Sequence, residues 1–204
     1  SKVEATRGYG AEVVLVPGVY DDAAAEAERP LEVFQGEAHR FPDCITVWKG
    51  HEYYNELGYI PYDVNIPENV ARTLEYAYDD WCISVLADAM GDEPNEEKYA
   101  AFAKGYQVYF DASTRFMRGL DSEGNWRTPF NPRSSNHRSD DYCEGTAWQW
   151  TWFVPHDIDG LVELMGGRDV FIGKLDSLFI ADSALEGDMV SADISGLIGQ
   201  YAHG

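Results

Sequence analysis

Residues 68–91, "ENVARTLEYAYDDWCISVLADAMG", contain the periodicity that decides the fold class of this 204-residue chain. Their apolar residues recur mostly at spacings of three and four, at Val70, Leu74, Ala77, Tyr78, Trp81, Val85 and Ala89. That period is typical of an amphipathic α-helix. Gly91 follows the last turn, where a glycine commonly ends a helix. The segment therefore predicts a helix from about Glu68 to Met90.

Similar periodicity predicts helices on both sides of this segment. They are expected at about 43–57, 95–118, 144–153, 158–165, 169–179 and 194–201. Gly58 is a plausible stop for the first of them, and Asn95 is a good N-cap for the second. No strand alternation of any length follows residue 40. The sequence therefore predicts a mainly α fold of α-hairpins, arranged in a bundle, a solenoid or a toroid.

The chain is long enough for one domain with a substantial core. Hydrophobic residues make up 45% of it, which is not the composition of a disordered chain. Residues 1–40 are weakly patterned and predict an irregular N-terminal segment. Residues 41–204 contain the helical pattern and predict one helical domain.

The charge and the cysteines exclude several classes of function. The net charge is −21, and a field of that sign repels nucleic acid and anionic lipid. No apolar run approaches the ~18 residues that a membrane-spanning helix needs. Cys44, Cys82 and Cys143 are odd in number and widely spaced. They predict neither a zinc site nor a disulfide framework.

A long polar stretch from Leu120 to Asp141 separates two groups of predicted helices. Irregular segments of this length in compact domains are usually functional or disordered. This one contains Trp126, Phe130 and three arginines. We therefore expect an ordered loop that lines a site.

The stretch "DDYCEGTAWQWTWFVPHDIDG", residues 140–160, places one glutamate ahead of three tryptophans. Asp140 or Asp141 is able to cap a helix that begins near Cys143, which would put Glu144 in its first turn. Trp148 and Trp152 would then follow on the same helical face as Glu144. Indole rings around a carboxylate desolvate it and raise its pKa, as suits a general acid near neutral pH.

This pattern suits a carbohydrate site, because pyranose rings present apolar C–H faces to indole rings. Trp148 is the expected platform, and His156 is a candidate contact for sugar hydroxyls. Asp157 is expected to cap the next helix. The alternative is that Glu144 only stabilises a helix N-terminus and that the tryptophans belong to the core.

Several blocks of the sequence resemble glycoside hydrolase family 92, the calcium-dependent inverting α-mannosidases. The most similar are "TLEYAYDDWCISVLA" (73–87), "DYCEGTAWQWTWFVPHDIDGLVELMGG" (141–167), "KLDSLF" (174–179) and "GLIGQYAHG" (196–204). "GHEYYNELGYIPYD" (50–63) and "FDASTRFMRG" (110–119) are similar too. The resemblance extends over about residues 40–204, with the blocks in the same order as in the family.

The resemblance implies a fold, a reaction and roles for residues. The family's catalytic domain is an (α/α)6 toroid preceded by a β-sandwich domain, and residues 41–204 would form part of that toroid. The match to the family's "EG-AWQ" motif makes Glu144 the general acid. His156 and Asp157 match its "PHD" block and would line the active site beside Trp148. The implied substrates are mannose-containing glycans, and the implied location is secreted or periplasmic.

The resemblance also implies parts that residues 1–204 do not supply. In the family, "AHG" continues into "NEPSHH", which contributes to the calcium site, and an Asp-rich "GNDD" motif with the base follows further on. The calcium ligands are therefore expected mostly beyond Gly204, with no metal ligand predicted here. The β-sandwich domain and the C-terminal part of the toroid are also missing. We expect a fragment that is inactive alone and exposes apolar surface.

Two questions stay open at this point. Some α-1,2-selective members carry His-Glu before the "SGLIGQ" block, whereas this sequence has Ala192-Asp193, so the expected α-1,2 linkage rests on the resemblance alone. The absent base leaves room for a non-catalytic carbohydrate-binding module, an inactive remnant or a packing domain.

Overall fold

The structure is a computed structural model that describes residues 49–136, 139–190 and 198–201. Residues 50–204 form a compact unit of their own. The predicted irregular segment 1–40 and the start of the first predicted helix lie outside the described residues. The prediction of two segments with a boundary near residue 40 therefore stays a prediction.

Helices dominate the described residues, as the sequence predicts. They are α1 (His51–Leu57), α2 (Asn69–Met90), α3 (Glu93–Phe102), α4 (Ala147–Trp150), α5 (Ile158–Met165), α6 (Arg168–Ile180) and a 3₁₀ turn at Gly105–Tyr109. The strands are short: β1 (Phe110–Asp111) pairs antiparallel with β2 (Phe116–Met117), and β3 (Ser134–Asn136) pairs parallel with β4 (Glu186–Met189). Consecutive helices pack in pairs, α2 against α3 and α5 against α6. The mainly α prediction is confirmed.

Helix α2 has the bounds that its periodicity predicts. Its buried face contains Val70, Leu74 and Ala77, all at 0% exposure. Gly91 ends it in the left-handed conformation, φ 72°, where a residue without a Cβ is favoured. The helix and its stop can therefore be read from the sequence alone.

The prediction of one helix over 95–118 holds only as far as Phe102 and is wrong beyond that residue. Its N-cap is Asp92, whose side chain accepts a hydrogen bond from the Asn95 backbone N–H, and α3 ends at Phe102. Gly105 then lies so close to Gly58 that an added Cβ would be 3.1 Å from the Gly58 carbonyl oxygen. Tyr109 is fully buried just before the chain reverses. Close packing of the backbone and of the aromatic side chains overrides helix propensity here.

A tight hairpin between β1 and β2 replaces the end of that predicted helix. The Asp111 carboxylate accepts hydrogen bonds from the backbone N–H and the hydroxyl of Ser113, at 2.9 and 2.6 Å, which is a common way for aspartate to hold a turn. Arg115 completes the turn with φ 57°. Arg118 then pairs with Asp111 across the hairpin, at 2.8 Å.

The final predicted helix, 194–201, is not helical where it is described. Residues 198–201 form a turn closed by a bridge between Ile198 and Tyr201. Residues 194–197 lie outside the described residues. Gly199 has φ 58° and packs against the backbone of Leu178 and Phe179, so this turn is held close to the end of α6.

The long loop is ordered in its described part, as predicted. Trp126 and Phe130 pack against the main core, and the Arg118 guanidinium lies 4.9 Å from the Phe130 ring centroid. Residues of this loop line two small cavities. The prediction that the loop lines a functional site stays a prediction.

The second half of α2 exposes large apolar side chains. Trp81, Val85, Leu86 and Met90 are 37%, 48%, 45% and 41% exposed. This is the exposed apolar surface that the sequence predicts for part of a larger assembly of helices. The tendency to associate that should follow from it stays a prediction.

The Asp111–Arg118 pair provides a test of the hairpin. The two side chains are 5% and 11% exposed, so Arg118→Met would leave the carboxylate buried without its partner. We expect a loss of about 3–5 kcal/mol in the free energy of unfolding at pH 7, measured by urea denaturation. Arg115→Met, three residues away on an exposed side chain, should change it by less than about 0.5 kcal/mol.

The same pair predicts how the loss depends on pH. Burial alone would raise the pKa of Asp111, but bonds from Ser113 and Arg118 hold it below its usual value. Its contribution to stability is therefore present above about pH 4 and is lost as the pH falls through the lower, folded-state pKa. The difference between the wild type and Arg118→Met should narrow in acid. Equal differences at pH 7 and in acid would contradict this account.

Candidate active site

The segment before Glu144 is fixed to the start of α2. The backbone N–H of Glu68 donates to the Asp140 carbonyl at 2.7 Å. Those of Val70 and Ala71 donate to the Asp141 carbonyl at 3.0 and 3.1 Å. These N–H groups have no partner within the helix, so the segment caps α2 with its own backbone.

An ion pair between the partly exposed Arg127 and the buried Asp141 carboxylate also holds this segment. Arg127 bonds to both carboxylate oxygens of Asp141, with its Nε at 2.9 and 3.0 Å, and Asp141 is 4% exposed. An added Cβ on Gly119 would clash with the Asp141 carboxylate. The sequence suggested Asp141 as a cap for a helix near Cys143. This is wrong, because the Asp141 side chain is bound to Arg127.

Glu144 lies outside any helix. Its backbone is left-handed, with φ 44°, and helix α4 begins only at Ala147. The expectation that Glu144, Trp148 and Trp152 share one helical face is therefore wrong. Glu144 is exposed, and no hydrogen bond or ion pair with another described residue engages its carboxylate. The enclosure by indole rings that the sequence suggested is not found among the described residues.

A capping box determines where α4 begins. The Thr146 hydroxyl accepts a bond from the Trp148 N–H at 3.2 Å, and Gln149 Oε1 accepts from the Thr146 N–H. The sequence Thr-x-x-Gln is the standard signal for this motif, and it was available in "TAWQ". The Gln149 amide also donates to the Gln200 carbonyl at 2.6 Å, which joins α4 to the turn at 198–201.

Trp150 anchors the backbone on the N-terminal side of Glu144. Its indole N–H donates to the Cys143 carbonyl at 2.7 Å. The indole passes so close to Gly145 that an added Cβ would be 3.0 Å from its nitrogen. Gly145 therefore makes room for the Trp150 ring, and this ring fixes Cys143, the residue before Glu144.

Cys143 is not an activated nucleophile. Burial, and then the neighbouring carboxylates of Glu68 and Glu144, raise its pKa to about 11. A thiol needs a lowered pKa to react as the thiolate near neutral pH. The thiol is therefore protonated at neutral pH, and Arg72 binds the Glu68 carboxylate at 2.8 Å. Glu68 also has a left-handed backbone, with φ 61°.

Trp148 packs against the core and not against open solvent. Its ring meets Phe116 edge to face, with centroids 4.9 Å apart. The Lys174 ammonium lies 3.3 Å from the Phe116 centroid and 4.5 Å from that of Trp148. Burial, and then the charge of Arg115, lower the pKa of Lys174 to about 8. A sugar stacking on Trp148 would share the ring with this lysine.

His156 lies in an aromatic cluster. Tyr106, Tyr78 and Trp81 surround it, with ring centroids 5.6, 6.1 and 6.3 Å away. Its Nε2 lies 2.9 Å from the Ala103 carbonyl, which assigns the proton to Nε2. Burial lowers its pKa, so the ring is neutral at pH 7. Its buried Nδ1 has no partner among the described residues.

Asp157 caps α5, as the sequence predicts. Its Oδ1 accepts from the Gly160 N–H at 3.1 Å. Its Oδ2 accepts from the Lys104 ammonium and the Tyr106 hydroxyl. Burial alone would raise its pKa, but these donors lower it. Asp157 and His156 therefore both contact Tyr106, Asp157 at its hydroxyl and His156 at its ring.

The four sequence-predicted residues thus fall into separate environments. His156 and Asp157 share Tyr106, Trp148 contacts Lys174, and Glu144 stands at the start of α2. Rings of Trp150, Phe153 and Tyr78 connect the Glu144 segment to His156, with successive centroids 5.4, 6.3 and 6.1 Å apart.

One polar atom near the end of the described chain has no partner. Gln200 is fully buried, and its amide nitrogen donates to the carbonyls of Asp182 and Ala184. No donor from the part of the chain that the structure describes reaches its Oε1. The described residues hold no cluster of three or more His, Cys, Asp or Glu arranged for a metal ion. Sequence reasoning missed Gln200, since nothing local marks it.

Comparison with known proteins adds a family. The model of the glycosyl hydrolase family 92 catalytic domain matches residues 5–204. An uncharacterized secreted glycosidase from Arthroderma benhamiae is 32% identical over 154 residues, which cover 61% of this chain and 20% of that protein.

Solved structures show the same relationship. A family GH92 α-mannosidase from Bacteroides thetaiotaomicron, in complex with mannoimidazole, is 38% identical with a TM-score of 0.70, covering 82% of this chain and 22% of that one. A GH92 inverting mannosidase from the same organism is 41% identical with a TM-score of 0.60, covering 66% and 18%. The chain thus spans about a fifth of the length of these relatives.

The capping box gives a test of the local structure around Glu144. Thr146→Ala removes the acceptor for the Trp148 N–H, so we expect a loss of about 1 kcal/mol in the free energy of unfolding, measured by urea denaturation. Thr146→Ser keeps the hydroxyl and is the matched control. Equal stability of the two variants would show that the box does not hold this segment.

Proposed function

The chain belongs to glycosyl hydrolase family 92, and on that premise we propose that it is part of an α-mannosidase in which Glu144 is the general acid. The family's (α/α)6 toroid accounts for its succession of helices and for the apolar side chains exposed on α2. Residues 50–204 supply only part of that toroid. The activity proposed is that of the intact protein.

The position of Glu144 is the main support for its role. The carboxylate is exposed while the backbone on both sides is fixed, by Trp150 at Cys143 and by the capping box at Thr146. Its left-handed backbone costs roughly 1–2 kcal/mol for a residue with a side chain. Strained residues held by their surroundings are typical of active sites. A free carboxylate on a rigid, strained support suits proton transfer to a substrate.

The proposed chemistry requires two carboxyl groups. Glu144 would protonate the glycosidic oxygen as the bond to the leaving group breaks. Inversion places a second carboxylate about 6.5–9.5 Å away, with room for the attacking water. The Glu68 carboxylate is bound by Arg72, so it is a poor candidate for the base. We propose that the base comes from the Asp-rich segment that the family resemblance implies downstream.

The proposed substrates are α-mannosides of mannans or N-glycans, with α-1,2 linkages first among them. Ala192 and Asp193, which bear on the linkage, lie outside the described residues. The tryptophans that suggested a non-catalytic binding module pack against the core. Their packing removes the main support for the module, and it leaves the proposed activity resting on Glu144 and not on Trp148.

We propose that calcium binds next to Gln200. Calcium takes oxygen ligands, amide carbonyls among them, and Gln200 Oε1 is a buried oxygen without a donor within the described residues. The bonds from its amide nitrogen to Asp182 and Ala184 fix the orientation of the side chain. When bound, calcium would supply a positive charge that orients sugar hydroxyls and water. The other ligands are expected from outside residues 1–204.

We propose that the intact protein is secreted, as the name of its relative from Arthroderma benhamiae suggests. Within the described residues, the helices are too short or too polar to cross a bilayer.

Glu144→Gln in the intact protein tests the acid. We expect turnover of α-1,2-mannobiose to fall at least ~10²-fold, the usual scale for loss of acid catalysis. The loss should be smaller for an aryl mannoside, whose leaving group needs little protonation. Initial-rate kinetics on both substrates, with α-1,3- and α-1,6-mannobiose included for linkage, measure this.

Glu123→Gln is the matched control, because Glu123 is also an exposed glutamate and should behave as wild type. Near-normal hydrolysis of the mannobioses by Glu144→Gln would remove Glu144 from the role.

Gln200→Met in the intact protein tests the calcium ligand. Loss of one oxygen ligand should weaken calcium binding on the order of tenfold or more, measured by calorimetric titration after chelation. Gln107→Met makes the same change at an exposed glutamine, so it should bind calcium as the wild type does. Unchanged affinity in Gln200→Met would exclude the side chain as a ligand.

A further inference from the structure

A second polar site lies beside the start of α2. It is a cavity of about 230 Å³ whose wall includes Pro67 and Asn69, the two neighbours of Glu68. Its polar lining consists of Tyr62, Asn65, Asn69, Arg127, Ser139 and Asp140. The cavity is thus built where the long loop meets α2, and none of these side chains is proposed to transfer a proton.

Asn69 provides the strongest sign that the cavity takes a ligand. The residue is 1% exposed, and its Nδ2 donates a long bond, 3.5 Å, to the Tyr109 hydroxyl. Its Oδ1 has no hydrogen-bond partner among the described residues. A buried acceptor without a donor costs roughly 1–3 kcal/mol, so a hydroxyl or water donor in the cavity would remove a real penalty.

Asp140 supplies hydrogen-bond acceptors to the wall of the cavity, whereas other groups of the wall supply donors. Its Oδ2 accepts from the Asn136 N–H at 2.6 Å and its Oδ1 from the Tyr142 N–H at 3.1 Å. These bonds fix the carboxylate while each oxygen keeps a free lone pair. Burial raises its pKa to about 6, so it is mostly ionised at pH 7 and still accepts hydroxyl protons.

Arg127 supplies donors from a fixed position. Its guanidinium lies 3.9 Å from the Tyr62 ring centroid and is bound to Asp141 through Nε and one terminal nitrogen. The planar group is therefore held on two sides. Its remaining N–H groups are available to an acceptor in the cavity.

This combination of groups selects the class of ligand. Two fixed acceptors and a fixed guanidinium suit a neutral molecule with several hydroxyl groups, because each hydroxyl both donates and accepts. The Asp140 charge disfavours an anion. The volume is below the roughly 300–1,000 Å³ of sites for drug-sized ligands, which favours a single sugar ring. Ile66 and Pro67 add apolar wall for the C–H face of such a ring.

We propose that this cavity binds one neutral monosaccharide unit of the glycan, separate from the mannose that Glu144 releases. The proposal rests on the proposed function for the identity of the sugar. The cavity would hold a further unit of a branched or extended glycan, and so would contribute to the choice of glycan and not to bond cleavage.

Hydrogen–deuterium exchange of the intact protein, with methyl α-D-mannopyranoside as the probe, tests the proposal. We expect slower exchange at residues 65–71 and 139–142 when the sugar is added. Asn69→Leu should raise the sugar concentration that gives half-maximal protection about tenfold, as expected for loss of a buried bond. Asn65→Gly is a second variant that keeps the left-handed backbone of Asn65 and should weaken it too.

Ser84→Ala is the matched control, because it removes a buried side-chain bond on α2 away from the cavity. It should retain the protection. Protection confined to residues 143–150, or none up to millimolar sugar, would overturn the proposal. Hydrogen–deuterium exchange measures binding and not turnover, so it can also be applied to Glu144→Gln. A result that contradicts sugar binding in the cavity is therefore distinct from one that contradicts the catalytic role of Glu144.

Discussion

The structure depends on the backbone contact between residues 140–141 and the first turn of α2. Three N–H groups that a helix cannot satisfy internally donate to the carbonyls of Asp140 and Asp141. The ion pair between Arg127 of the long loop and the buried Asp141 carboxylate holds the same segment. A stretch far along the chain is thereby fixed to a helix start, and everything from residue 139 to residue 150 is positioned by this contact.

The position of Glu144 follows from the short segment of chain between two fixed points, Asp141 and the start of α4. Between the capped contact at Asp141 and the start of α4 at Ala147 there is room for only one sharp turn. Glu144 is at that turn, in a left-handed conformation that leaves its side chain exposed. Trp150 and the Thr146–Gln149 capping box keep the turn from relaxing. The aromatic run is therefore mainly a support for the glutamate, and its rings lie on the core side.

Local pattern was enough to predict α2 and α5, because each has a clear apolar period and a recognisable stop or cap. It failed at 103–118, where the close approach of Gly105 to Gly58 and the burial of Tyr109 decide the structure. Glu144 was identifiable through the family motif, but its position outside a helix was not. Asn69 and Gln200 could not be found, since an unpartnered buried oxygen depends on distant parts of the chain.

The backbone conformation of Glu144 has an evolutionary consequence. A glycine at this position would adopt φ 44° without a steric penalty, and it would make the folded chain more stable while deleting the carboxylate. Stability alone therefore favours glycine at position 144, and a glutamate there costs stability. The chemistry proposed for Glu144 and the stability of its turn thus make opposite demands on one residue.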